Sequence, residues 1–374
     1  MMHRLAGLAA LIFTLHAGAA LADPVTFTDI AGREVTVEAP VERMILGEGR
    51  QVYLLGILDR EDPFERVVGW RQDLLEADPA SYHIYAEKFP QLKDLPTFGG
   101  FKDGTFDVEQ AAALKPQLVL MNLEAKAATE DAGYDEKLAK LGISIAYVDF
   151  REDPMAHSVE SMRIMGKVTG KEAQAEEYID FVEAQMARVT DTLEGAEFDR
   201  PKVFVDRAGG YSDDCCMTFG PGNFGDYVEI AGGTNIAGDI LPSTFGTLNP
   251  EQIIAANPDQ VIVTGGQWDA YVPGGNWVGM GPGSDMDVAR GKLEALTQRT
   301  AMTGINAVET GEFHAIWHQF YDNPYYFVAV QKIATWLHPE LFADLDPEAT
   351  LKELHTRFLP VDYTPGYWVS LSDD

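Results

Sequence analysis

From about residue 41 onward, short apolar runs alternate with longer stretches of helical periodicity. Val41 to Leu46 reads as a buried strand, and Gly47-Glu48-Gly49-Arg50 as a turn into a helix through Leu58. Val67-Val68-Gly69 predicts a short strand ending at Trp70-Arg71. Gln117 to Met121 and Ile143 to Asp149 predict two more. Pro154 to Leu193 reads as helical, with a break at Thr169-Gly170. The alternation then restarts with a strand at Lys202 to Asp206, a helix from Phe224 to Ala231 stopped by Gly232-Gly233, and a strand at Gln260 to Thr264. Strands that alternate with helices build parallel sheets. The expected fold class is α/β: two Rossmann-like lobes, 23–150 and 196–374, joined by a long helical segment at 151–195.

Each half carries the same short phrase. Asp107-Val108-Glu109-Gln110 leads through Ala113 to Lys115-Pro116-Gln117 and the apolar Leu118-Val119-Leu120. Asn249-Pro250-Glu251-Gln252 leads through Ala255 to Asn257-Pro258-Asp259 and Val261-Ile262-Val263 at one constant offset. Both copies predict a capped helix, a proline stop and a buried strand. Asp107 and Asn249 are the expected N-caps, because their side chains can accept from the unpaired N–H groups of a first turn.

The N-terminus changes the compartment. Arg4 opens a short positive start, Leu5 to Leu15 is apolar but too short to span a bilayer, and Ala20-Leu21-Ala22 precedes Asp23. That is the pattern of a secretory signal peptide over 1–22. The only cysteines are Cys215 and Cys216, so no lipid-accepting cysteine follows the cleavage point, and a periplasmic protein free in solution is expected. The 374 residues carry a net charge of −31, and the first 22 contribute one arginine and no acid. Such a surface disfavours nucleic acid and anionic membranes as partners. A soluble monomer without membrane insertion is expected.

Several segments, taken in order, resemble one family. These are Thr26-Phe27-Thr28-Asp29-Ile30-Ala31-Gly32-Arg33-Glu34-Val35; Gly99-Gly100-Phe101; Gly220-Pro221-Gly222 before a helix ending Ala231-Gly232-Gly233-Thr234-Asn235-Ile236-Ala237; Val263-Thr264-Gly265-Gly266; and His338-Pro339-Glu340-Leu341-Phe342. The ordered set is similar to class III periplasmic substrate-binding proteins of ABC importers for ferric siderophores, haem and cobalamin. The resemblance implies two lobes on a rigid interdomain helix, little hinge closure, and delivery to a permease dimer. It also implies that one glutamate per lobe docks on the permease, and the matching positions are Glu109 and Glu251.

Candidate ligand contacts lie on the strand-to-helix turns, which face the crevice in such folds. They are Arg50, Trp70, Arg71 and Lys102 in the first lobe, and Arg207, Tyr211, Trp268, Tyr271, Trp277, His318 and Tyr321 in the second. Aromatic rings supply area and arginines supply forked donors to oxygen, which suits a bulky chelate with carboxylate or metal-bound oxyanion groups. A ferric siderophore is the expected cargo, with cobalamin or haem as alternatives. Tyr271 to Asp287, rich in Gly and Pro, reads as an ordered loop over the cleft mouth. Adjacent Cys215 and Cys216 in an oxidising compartment predict a disulfide to each other, with soft-metal thiolates as the weaker alternative.

Enzyme motifs are missing: no HExxH, GxSxG, Walker loop or dinucleotide fingerprint occurs. No cofactor and no resident metal site are expected. His314 and His318 share an i, i+4 spacing, but Phe313 to Phe320 reads as a strand running into a turn, which separates them. A free-metal binder and a metal-dependent hydrolase remain as lower-ranked readings.

Overall fold

The computed structural model describes residues 23–212 and 215–372; the segment 1–22, expected to be a signal peptide, lies outside them. The chain opens on an antiparallel hairpin, β1 (Asp23–Thr28) and β2 (Glu34–Ala39). The first sheet holds β3 (Met44–Leu46), β4 (Val67–Arg71), β5 (Thr97–Phe98), β6 (Leu118–Asn122) and β7 (Ser144–Val148). Its spatial order is β5-β4-β3-β6-β7, every pair parallel. The second lobe adds β8 (Lys202–Asp206), β9 (Met217–Phe219), β10 (Thr234–Asn235), β11 (Phe245–Thr247), β12 (Gln260–Gly265), β13 (Phe313–Trp317) and β14 (Trp368–Ser370). Its sheet runs β10-β8-β12-β13-β14, parallel except for β14, while β9 and β11 form a separate antiparallel ribbon.

These strands read as continuous apolar runs because parallel sheets are covered on both faces. Every residue of β6, β12 and β13 is buried. The repeated phrase has the expected form in both lobes. Asp107 accepts from the Gln110 N–H at 2.9 Å, and Asn249 from the Gln252 N–H at 2.9 Å. Each helix ends on a left-handed residue, Lys115 at φ 49° and Asn257 at φ 48°, before its proline and strand.

Order of strands fixes where a ligand can sit. In each sheet the connections reverse direction between two central strands, β3 and β6 in the first, β8 and β12 in the second. The loops at their carboxyl ends diverge there and leave a crevice. Gly47 to Arg50 and Leu123 to Ala125 leave the first switch point; Arg207 and Gly266 leave the second.

The connecting segment is two helices, Pro154–Thr169 and Glu172–Glu194, turned at Gly170 with φ 67°. The first packs on β2 and β7. The second, about 35 Å long, reaches from the Val52–Leu58 helix to the Tyr326–Leu337 helix. The spanning element is therefore the second helix rather than the whole segment. One apolar cluster continues through the seam between the sheets. There Tyr53 meets Trp317 at 6.0 Å and Tyr325 at 5.7 Å between ring centroids. Among the described residues no helix is long and apolar enough to cross a membrane. Cys215 and Cys216 are bonded to each other just before β9.

Candidate functional site: the interlobe cleft

The Gly-Glu-Gly-Arg turn after β3 is pressed against the end of β4. A Cβ at Gly49 would sit 2.4 Å from the Arg71 carbonyl oxygen, so the position requires glycine. The Gly49 N–H donates to Asp73 Oδ1 at 2.6 Å. This turn forms the floor of a cleft of about 330 Å³. Arg71, Phe101, Lys102 and Met121 also line it from the first lobe, as do Asn122 and Glu124 at the end of β6. Tyr271 contributes from the second lobe and Arg151 from the connecting segment.

Arg50 lines the cleft, but its guanidinium is already engaged. Its guanidinium is buried among Glu48, Asp73 at 3.3 Å and Asp322 at 2.9 Å, and it donates to the Tyr321 hydroxyl. Burial opposes its charge, but Asp322, Tyr321 and Asp73 outweigh that and hold its pKa well above the ordinary arginine value. Glu48 and Asp73 belong to the first lobe, Tyr321 and Asp322 to the second. Arg50 is thus a clasp between lobes, and it lines the cleft from the floor. The expectation for Trp70 is corrected. The strand continues through Arg71, so Trp70 points into the core, fully buried and stacked on Tyr82 at 6.2 Å.

The sequence reading missed Arg151. Asp149 accepts from the N–H groups of Arg151, Glu152 and Asp153 at 2.8, 2.8 and 3.0 Å and fixes the turn that aims it. Its guanidinium lies 2.8 Å from Glu124, 3.3 Å from Glu48 and 3.7 Å from Asp322. It also stands over the Tyr321 ring at 5.0 Å. An acid that collects three amides and follows a strand was the available signal.

Arg71 and Arg207 have no carboxylate within ion-pair distance among the described residues. Arg71 lines the cleft from the first lobe. Arg207, at the second switch point, stands over Phe245 at 5.2 Å, with one Nη donating to Met217 Sδ at 3.5 Å. Its Nε is buried without a hydrogen-bond partner. Burial lowers its pKa, and the charge of Arg151 adds to the effect.

Behind Tyr271, the one second-lobe residue among the described cleft lining, lies a mostly buried aromatic cluster. Trp268 meets Tyr211 at 5.6 Å and His318 at 5.3 Å, and His318 meets Tyr321 at 4.3 Å. His318 begins the turn after β13, and its Nδ1 is 2.8 Å from Thr264 Oγ1. Burial first, then Arg207, Arg50 and Arg151, push its pKa well below the ordinary value, so the ring is neutral. His314 lies in β13 itself and bonds Ser370 Oγ at 2.7 Å, so the two histidines are separated as expected. Lys102, half exposed at the mouth, is paired with Glu124.

The Gly-Pro loop divides. Tyr271 reaches the cleft, while Trp277 donates to the Val272 carbonyl at 3.1 Å and lines a separate hollow with Gln267, Ser284 and Val288. Trp277 is therefore not a cleft residue. The loop is pinned beneath by bonds from Gly281 N–H to Gly366 and Gly283 N–H to Pro365, at 2.8 and 2.7 Å. Among the described residues no group of three or more His, Cys, Asp or Glu could hold a metal ion.

Residues 66–316 match the periplasmic binding protein family over about two thirds of the chain. The chain belongs to that family. This binding protein is similar to the TroA-like periplasmic binding protein FepB of Veillonella parvula. That likeness has a TM-score of 0.83 at 26% identity and covers 93% of this chain and 99% of that one. It is 27% identical over 245 residues to a cobalamin-binding protein of Halobacterium salinarum, a match of 65% of this chain and 58% of that protein. The chain thus spans under two thirds of that relative's length. It is 21% identical over 335 residues to the ABC transporter substrate-binding lipoprotein YvrC of Bacillus subtilis, covering 86% and 88% of the two chains.

Proposed function

We propose that this binding protein is exported by a cleaved signal peptide, captures an anionic metal chelate in the cleft, and delivers it to the permease dimer of an ABC importer. The cargo we favour is a ferric siderophore, bound without turnover. The observation that carries this reading is the pair of guanidinium groups, Arg71 and Arg207, without carboxylate partners among the described residues. A partly buried arginine left unpaired is costly unless an anion completes it. Tyr271 supplies flat, amphipathic area at the cleft, and the Arg50 clasp and the shared core favour a cleft of nearly fixed width.

The test is quenching of intrinsic tryptophan fluorescence by ferric siderophores. Arg71→Gln and Arg207→Gln are each expected to weaken binding by about 1.5–3 kcal/mol, the scale of a lost charge-assisted contact. Unchanged affinity in both variants would remove the two arginines from the site. A second reading is cobalamin, favoured by the Halobacterium relative. Its periphery is largely amide, so both arginine variants would bind it almost as well as the parent does.

Glu109 and Glu251 are proposed as the permease contacts. Both are exposed and lie in the first turn of matched helices, one per lobe. A carboxylate is favoured there by the helix dipole.

A further inference from the structure

Two cationic side chains, Lys102 and Arg151, meet one acid at the cleft mouth, with a third cation nearby. Glu124 follows β6 at the first switch point, and its side chain is 19% exposed. One of its oxygens holds Lys102; the other lies 2.8 Å from Arg151 Nε. That second contact is an ion pair without hydrogen-bond alignment, because the buried Arg151 Nε makes no hydrogen bond of proper geometry. The other acids near Arg151, Glu48 and Asp322, are already engaged by Arg50. Arg71, the third cation, lines the same space.

We propose that Glu124 is a built-in competitor: in the empty cleft it occupies the seat on Arg151 that an oxyanion of the cargo takes over. This rests on the reading that the cleft receives an anionic chelate. A direct, aligned bond from the Arg151 guanidinium to a ligand oxygen replaces a misaligned internal one, and Glu124 stays with Lys102. Such a residue lowers affinity for every anion. Only a ligand that also satisfies Arg71 and Arg207 recovers the loss, which makes Glu124 a determinant of specificity. Its neighbours also explain why it persists as an anion. Burial raises its pKa, but Arg151 and Lys102 outweigh burial and leave it lowered.

The test uses citrate as the probe and follows thermal unfolding of the full chain at constant ionic strength, since a ligand that binds the folded state raises its melting temperature. Glu124→Gln is expected to bind citrate about tenfold tighter than the parent, equivalent to 1.4 kcal/mol. Glu124→Ala, which removes the side chain, should shift the same way if the first variant folds poorly. In an Arg151→Gln background the gain should vanish, because the seat is gone. A parent-like or weaker citrate response in both Glu124 variants overturns the proposal. So does a gain that survives undiminished without Arg151. If the gain appears as expected while the parent binds no ferric chelate, the cargo reading alone fails.

Discussion

Replacing Arg50 with methionine is expected to lower the free energy of unfolding by about 3–5 kcal/mol, the cost of removing one partner from a buried ion pair. The three acids around Arg50, namely Glu48, Asp73 and Asp322, are all buried. Without the guanidinium they face one another in a medium where charges are weakly screened. Methionine keeps the apolar stem and removes the guanidinium head, so the loss comes mainly from the stranded charges. Equilibrium urea denaturation measures it. Arg50→Met/Asp322→Asn should recover part of the loss, because the second change removes one of the stranded charges. A loss below about 1 kcal/mol, the range of exposed pairs, would mean that the clasp is screened by water and does not fix the spacing of the lobes.

Combining Glu109→Lys and Glu251→Lys should abolish uptake while leaving cargo affinity unchanged. Each acid is solvent-exposed in the first turn of a seven-residue helix, away from the cleft lining. Reversal puts a positive charge at the positive end of a helix, at about 0.3–1 kcal/mol each, too little to unfold the chain. Facing a basic permease surface, two attractions become two repulsions, which cost several kcal/mol at an interface. Either single change should impair uptake less than the pair. Transport assays in cells lacking any other binding protein for the same cargo, beside a binding titration of the purified variant, separate the two effects. Full uptake by the double variant would reduce both acids to ordinary first-turn residues.

What the sequence made readable was local. The repeated phrase specifies its own caps, its left-handed stops and its strands within sixteen residues, and the chain follows it in both lobes. The break at Gly170 was readable because only a left-handed residue lets two helices fold back there. The candidate site was readable only as a set of turns. Trp70 was misplaced because the strand runs two residues further than its apolar core, which turns Trp70 inward and Arg71 outward. The clasp made by Arg50 was not readable because its decisive partners, Tyr321 and Asp322, come from the other end of the chain. Arg151 looked like the polar start of a helix. Nothing nearby in sequence announces that it meets Glu48, Glu124 and Asp322 at one point.

The exposed and buried cations therefore divide by task. Under the proposed function Arg50 links the lobes, Arg151 is held in reserve by Glu124, and Arg71 and Arg207 receive the anion. In the proposed function the last pair completes an oxygen-rich metal chelate. Native mass spectrometry of the protein isolated from the periplasm of iron-starved cells tests it most directly. One chelate per chain is expected, carrying ferric iron and lost on mild acidification. Protein that emerges without ligand, or with a solute that contains no metal, would contradict it.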